Sequence, residues 1–255
     1  MKNGLIVVVA VGLAAILAPV GRAQWRTPWT YEGARGAEHW SDLDPDYSAC
    51  NTGKAQSPID IRETMKAALR AIQFEYTSGP LKYLINNGKT IRVNYHDPKG
   101  TGNFLIVGDK RYQLTQFHFH RPSEETVQGK QYDMVAHFMH EASDGTLAGV
   151  AVFLRAGHPN ATIQQLWDHM PESEGSEHEI AGVAINPAGL LPHDTSYYTY
   201  MGSLTAPPCT EGVTWFVLKT PVEVSPDQIS AFARLYPHDV RPPQPLNGRV
   251  VKESQ

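Results

Sequence analysis

Gln116-Phe117-His118-Phe119-His120 sets two histidines two residues apart in an aromatic-rich run, and on a strand residues so spaced project from one face. His137 follows in a second apolar-rich strand candidate, Met134 to Met139, reached after a turn around Gly129. If the two strands pair antiparallel, three imidazoles meet around one point. Three neutral nitrogen donors with a fourth position open is the arrangement of a catalytic zinc site. A His-x-His pair alone is a modest signal, because strand histidines are also satisfied in cores and on surfaces. His140 has the opposite strand parity to His137 and reads as a core histidine.

Elements able to hold such a cluster recur at short intervals. β-rich or alternating stretches run Tyr83 to Ile85, Thr90 to Tyr95, Phe104 to Val107, Tyr112 to His120, Tyr132 to His140, Gly149 to Arg155 and Val213 to Thr220. Turn chemistry separates them, as in Asn86-Asn87-Gly88 and Ser143-Asp144-Gly145. Ser225-Pro226-Asp227-Gln228 carries a capping Ser, Pro at the first helical position and Gln at the third, which predicts a helix through Ile229 to Tyr236. A second helix is expected after Asn160, with Ile163, Leu166 and Trp167 buried, and a third over Glu63 to Ala71. The fold class implied is mainly β (α+β), one domain with a large sheet and a few short peripheral helices.

The 255 residues are 41% apolar, enough for one sizeable core, so a disordered tail or a disulfide miniprotein is excluded. A net charge of -4 gives no concentrated basic face for nucleic acid. Lys2, the apolar run Leu5 to Val20 and the small residues around Ala23 read as a secretory signal peptide over 1–23, leaving a domain over 24–255. The run is short for a membrane span of about 20 residues, so no stable membrane anchor is expected. Two cysteines, Cys50 and Cys209, suit one disulfide in an oxidising compartment.

From about Trp29 to Val251 the chain resembles the α-class carbonic anhydrases. The resemblance rests on Gly36-Ala37-Glu38-His39-Trp40, Gln56-Ser57-Pro58-Ile59-Asp60-Ile61, Asn86-Asn87-Gly88, the Gln116 to His120 run, Ser123-Glu124, Gly202 to Trp215 and Arg241 to Arg249, in order. It implies a large, twisted, mostly antiparallel sheet and reversible hydration of CO2 to bicarbonate and a proton through zinc-bound hydroxide. His118, His120 and His137 are then the ligands of Zn2+. Thr205 accepts a hydrogen bond from the hydroxide and donates its own proton to Glu124, a direction forced because a hydroxyl has one proton to give. Met139, Leu147, Gly149, Leu204, Val213 and Trp215 match the apolar CO2 pocket, Gln116 bonds a ligand histidine from outside, and Cys50 pairs with Cys209.

The chain also departs from the family pattern. Lys89 stands where rapid members hold a proton-shuttling histidine, and His96 is the available substitute. Arg92 replaces a neutral amide at the pocket entrance. Glu125 replaces the histidine usually found after Ser-Glu, while Val135 replaces the glutamate two residues before the third ligand, so Glu125 is expected to serve His137 in its place. The alternatives are a catalytically silent zinc-binding protein of the same fold and a cupin-type oxygenase, the latter lacking a second Gly-rich motif around His137. The partners implied are CO2 and bicarbonate, the location periplasmic or secreted, and the sequence specifies no oligomeric state.

Overall fold

The computed structural model describes residues 27–254; the signal-peptide expectation lies outside them. Eleven strands form the main sheet: β1 (Thr64–Ala67), β2 (Ile72–Glu75), β3 (Leu84–Asn86), β4 (Ile91–Asn94), β5 (Phe104–Val107), β6 (Lys110–His120), β7 (Met134–Ala142), β8 (Leu147–Ala156), β9 (Tyr197–Ser203), β10 (Glu211–Val224) and β11 (Val251–Ser254). Their order is β1-β11-β9-β10-β8-β7-β6-β4-β3, with β5 also paired to β6 and β2 to β5. Most pairs are antiparallel, but β8 runs parallel to β10 and β11 parallel to β1.

Alternation along the central strands sorts two cores onto the two sheet faces. Phe117 and Phe119 of β6 and Ala136 and Phe138 of β7 enter the larger cluster, which α1 (Ala161–Trp167) and α2 (Pro226–Ala233) cover with Ile163, Leu166, Trp167 and Phe232. Val135 and Met139 point the other way, into a smaller cluster with Phe153, Tyr200 and Trp215. Both helices start as their sequences dictate. Asn160 accepts the Ile163 N–H, and Ser225 and Gln228 form a reciprocal capping box.

The expected helix over Glu63 to Ala71 is corrected: Thr64–Ala67 is an edge strand, paired in parallel with Val251–Ser254. Helix propensity there yields to backbone pairing with a segment nearly 190 positions away, a partner no local pattern reveals. Before the sheet, short turns of helix at Trp40–Leu43 and Ala49–Thr52 carry Trp40 and Cys50 into a third small cluster, where Cys50 is bonded to Cys209.

Candidate metal centre

His118 of β6 lies directly across from His137 of β7 in an antiparallel register, and His120 sits opposite Val135 on the same face. Ring centroids of the three histidines are 4.8 to 5.4 Å apart. One nitrogen from each forms a group in which all lie within 4.8 Å of one another.

Each ring uses its other nitrogen outward. His118 Nδ1 donates to Gln116 Oε1 at 2.8 Å, His120 Nδ1 to the Asp239 carbonyl at 2.7 Å, and His137 Nε2 to Glu125 Oε2 at 3.0 Å. The inward atoms His120 Nε2 and His137 Nδ1 are buried with no partner. A buried imidazole nitrogen left unpaired costs about 1–3 kcal/mol, and two of them converging beside the His118 ring are what a cation would repay. The donor set therefore fits a metal ion held by three neutral imidazoles, each oriented by an outer acceptor.

Electrostatics favour the neutral form at two of the three rings. Burial, with repulsion from the neighbouring imidazoles, holds His118 and His120 well below the ordinary histidine pKa, so both stay neutral and available as ligands. Burial also disfavours charge on His137, but Glu125 and Glu124 outweigh it and raise its pKa. Glu124 is fully buried, and burial pushes it up to about 7 against the pull of His137, the Arg241 N–H and Thr205. A divalent cation beside it would draw that value down again. Glu124 Oε1 accepts the Arg241 N–H at 2.8 Å, leaving Oε2 aimed inward, 3.5 Å from His120 Nε2 and 3.8 Å from His137 Nδ1.

A cavity of about 310 Å³ opens onto the three histidines. Met139, Leu204 and Trp215 line it together with Thr205, Gln116, Lys89 and Arg92. Leu147, Gly149 and Val213 lie outside that lining. Val213 is fully buried in the apolar cluster, and Leu147 packs against it. Gly149 is a glycine because the Trp215 ring fills the space: a Cβ there would meet ring carbons at 2.7 Å. Lys89 Nζ sits 5.3 Å over the Trp29 ring and donates to the Gly88 carbonyl. His96 lies outside the lining, half-exposed, with Nε2 3.1 Å from both Glu177 oxygens.

Four residues contribute to the site without a local sequence signal for it: Asp239, Arg241, Trp29 and Tyr31. The Asp239 carbonyl is a main-chain group with no side-chain signature. The Arg241 N–H holds Glu124, and the buried Arg241 guanidinium ties Gln56, Ser57 and the Cys50 carbonyl together behind the site. Trp29 and Tyr31 line the cavity from the chain start. The His140 expectation can be compared directly: it is fully buried on the opposite face, 2.6 Å from the Tyr76 hydroxyl.

Residues 35–255 match the sequence profile of the eukaryotic-type carbonic anhydrase family. A carbonic anhydrase of Nostoc sp. is 41% identical over 231 residues, covering 89% of this chain and 86% of that protein. The α-carbonic anhydrase of Thermovibrio ammonificans, solved with the inhibitor sulfanilamide, superposes with a TM-score of 0.83 at 43% identity, over 89% of this chain and 99% of that one. Dioscorin dioA3 of Dioscorea japonica is 34% identical over 85% of this chain and 81% of its own length.

Proposed function

Since the chain belongs to the α-class, eukaryotic-type carbonic anhydrase family, we propose that it is an exported zinc enzyme hydrating CO2 reversibly to bicarbonate and a proton. The carrying observation is the convergence of three outward-anchored imidazoles, with the inward nitrogens of His120 and His137 buried and unpaired, beside Thr205 and a buried Glu124. Zinc, when bound, lowers the pKa of its water to about 7, an effect for which carbonic anhydrases are the general example.

The remaining work falls to this chain's residues. Gln116, the Asp239 carbonyl and Glu125 fix the three ring orientations. Thr205, 6% exposed, spends its proton on Glu124 and so presents only lone pairs to an attacking hydroxyl, which sets that hydroxyl's aim. Met139, Leu204 and Trp215 offer CO2 an apolar wall that does not compete as a ligand. Proton removal needs a group that takes up and gives back a proton near the operating pH, and Lys89 lines the cavity where an imidazole would serve that purpose. Among the described residues no helix is long and apolar enough to cross a membrane, and the Cys50–Cys209 disulfide suits an oxidising, periplasmic or extracellular setting.

The test is to strip the purified protein with a chelator and restore zinc while following CO2 hydration. Activity should vanish and return. A zinc-loaded protein without hydration would instead identify a silent binding protein, and full activity after stripping would remove the metal from the account.

A further inference from the structure

Arg92 differs from every other cation near the cavity. It stands on β4 directly across from His118, on the same sheet face, and lines the cavity onto which the three histidines open. Directly opposed residues on paired strands hold their Cβ atoms about 4.5–5.5 Å apart. Its guanidinium makes no hydrogen bond and no ion pair within 4 Å among the described residues, and its Nε is buried without a partner. Lys89 is already served by the Trp29 ring and the Gly88 carbonyl. The carboxylate that feels Arg92, Glu177, is engaged by Asn94 and His96.

Burial draws the Arg92 pKa down, with Glu177 opposing, and its charge is felt at His118, whose proton affinity it lowers. A half-buried guanidinium in a cavity wall, its Nε–H without a protein partner, is a donor open to an anion. CO2 is neutral and has no use for it. The product is planar and shares one negative charge between two of its three oxygens, the shape a guanidinium recognises with parallel hydrogen bonds.

We propose that Arg92 is a binding group for bicarbonate on the cavity wall beside the metal centre, catching the anion as it leaves and holding it first when the reaction runs in reverse. The proposal rests on the carbonic anhydrase reading and adds to it a residue specific to the charged partner. Because the chain as a whole is net negative, at -4, a local cation also concentrates the anion where the global charge would repel it.

The equilibrium constant ties kcat/KM in the two directions, so a site that holds ground-state bicarbonate shows in KM for bicarbonate, with kcat moving the same way. Metal-loaded full-length protein is compared with Arg92→Gln and Arg92→Lys, each checked for wild-type thermal unfolding. KM for bicarbonate should rise about fivefold in Arg92→Gln and less in Arg92→Lys, which keeps the charge but loses the fork. Independently, the Arg92 Nε–H signal in a nitrogen-proton spectrum of the wild type, assigned by its loss in the variants, should shift saturably as bicarbonate is added. An unmoved Nε–H signal, or an unchanged KM in a folded Arg92→Gln, overturns the proposal. A wild type that binds zinc without hydrating CO2 would sink the functional reading alone, since the Nε–H titration still decides the anion site.

Discussion

Strand β7 carries two fully buried histidines three residues apart, and they do opposite things. His137 faces the cavity with Nε2 on Glu125 and Nδ1 unpaired, its pKa raised because Glu125 and Glu124 overcome burial. His140 faces the larger core, stacked on Tyr76 at an interplanar angle of 14° and bonded to its hydroxyl, and burial drives its pKa down to about 3. Same residue type, same strand and same burial give one oriented donor and one inert core ring. The difference lies in what surrounds them: paired carboxylates and converging imidazoles on one face, a phenol and aliphatic side chains on the other. Burial makes a histidine neutral, and only directed partners make it a ligand.

The largest expected effect breaks the site face outright. His120→Ala should weaken zinc binding by about 10³-fold, one ligand's share of a binding energy on the order of 10–16 kcal/mol, and abolish CO2 hydration. Metal analysis after dialysis checks it, and retained stoichiometric zinc would remove His120 from the centre. Next comes Thr205→Ala, which should keep zinc yet cut kcat/KM for CO2 by about 10²-fold, the scale of losing one oriented hydrogen bond to a reacting oxygen. Zinc loss in that variant would show the residue to be holding structure and not aim.

Glu125→Gln sharpens the contrast between the two faces, because it leaves the ring of His137 in place and removes the charge behind it. Zinc affinity should fall about 10- to 100-fold. Val135 has the same strand parity as His137. A Glu125→Gln, Val135→Glu double variant should therefore recover much of the loss, and a double variant no better than the single would place the partner elsewhere.

The core face is tested by pH. His140 has a folded pKa of about 3 against an ordinary value near 6.5. Below pH 6.5 the unfolded chain takes up a proton that the folded chain refuses, so stability is full above 6.5 and declines as pH falls toward 3. The cost should reach on the order of 4 kcal/mol at the acid end. Denaturant unfolding of His140→Gln, whose amide can still accept from Tyr76, should be less stable at neutral pH but lack that part of the acid slope. An unchanged slope would assign it to other groups. The smallest effect is expected at the rim: Lys89→His should raise turnover a few-fold in weak buffer and leave kcat/KM for CO2 almost as it was, whereas no change with added imidazole would mean that proton transfer is already well served.

Much of this is legible in the sequence alone. Alternation in β6 and β7 separated the histidines from Phe117, Phe119 and Phe138, because a strand's period of two assigns faces unambiguously. The exchange of Glu125 for Val135 was visible as a pair of departures, and their spatial meaning followed from the paired strands. The Glu63 to Ala71 segment reads locally as helix because its strand partner, Val251–Ser254, is at the far end of the chain. Tyr197–Ser203 carries no clear strand signal in its sequence, yet as β9 it separates β10 from β11. The Asp239 carbonyl and the unpartnered state of Arg92 were beyond reach, since one is main chain and the other depends on what every neighbour is already doing.

Zinc-edge X-ray absorption on the purified, metal-loaded protein tests the central claim most directly. Three nitrogen neighbours at about 2.0–2.1 Å with imidazole outer-shell scattering, and one oxygen completing four-coordination, is the predicted result. A six-coordinate oxygen shell, or fewer than three imidazoles around the metal, would contradict it.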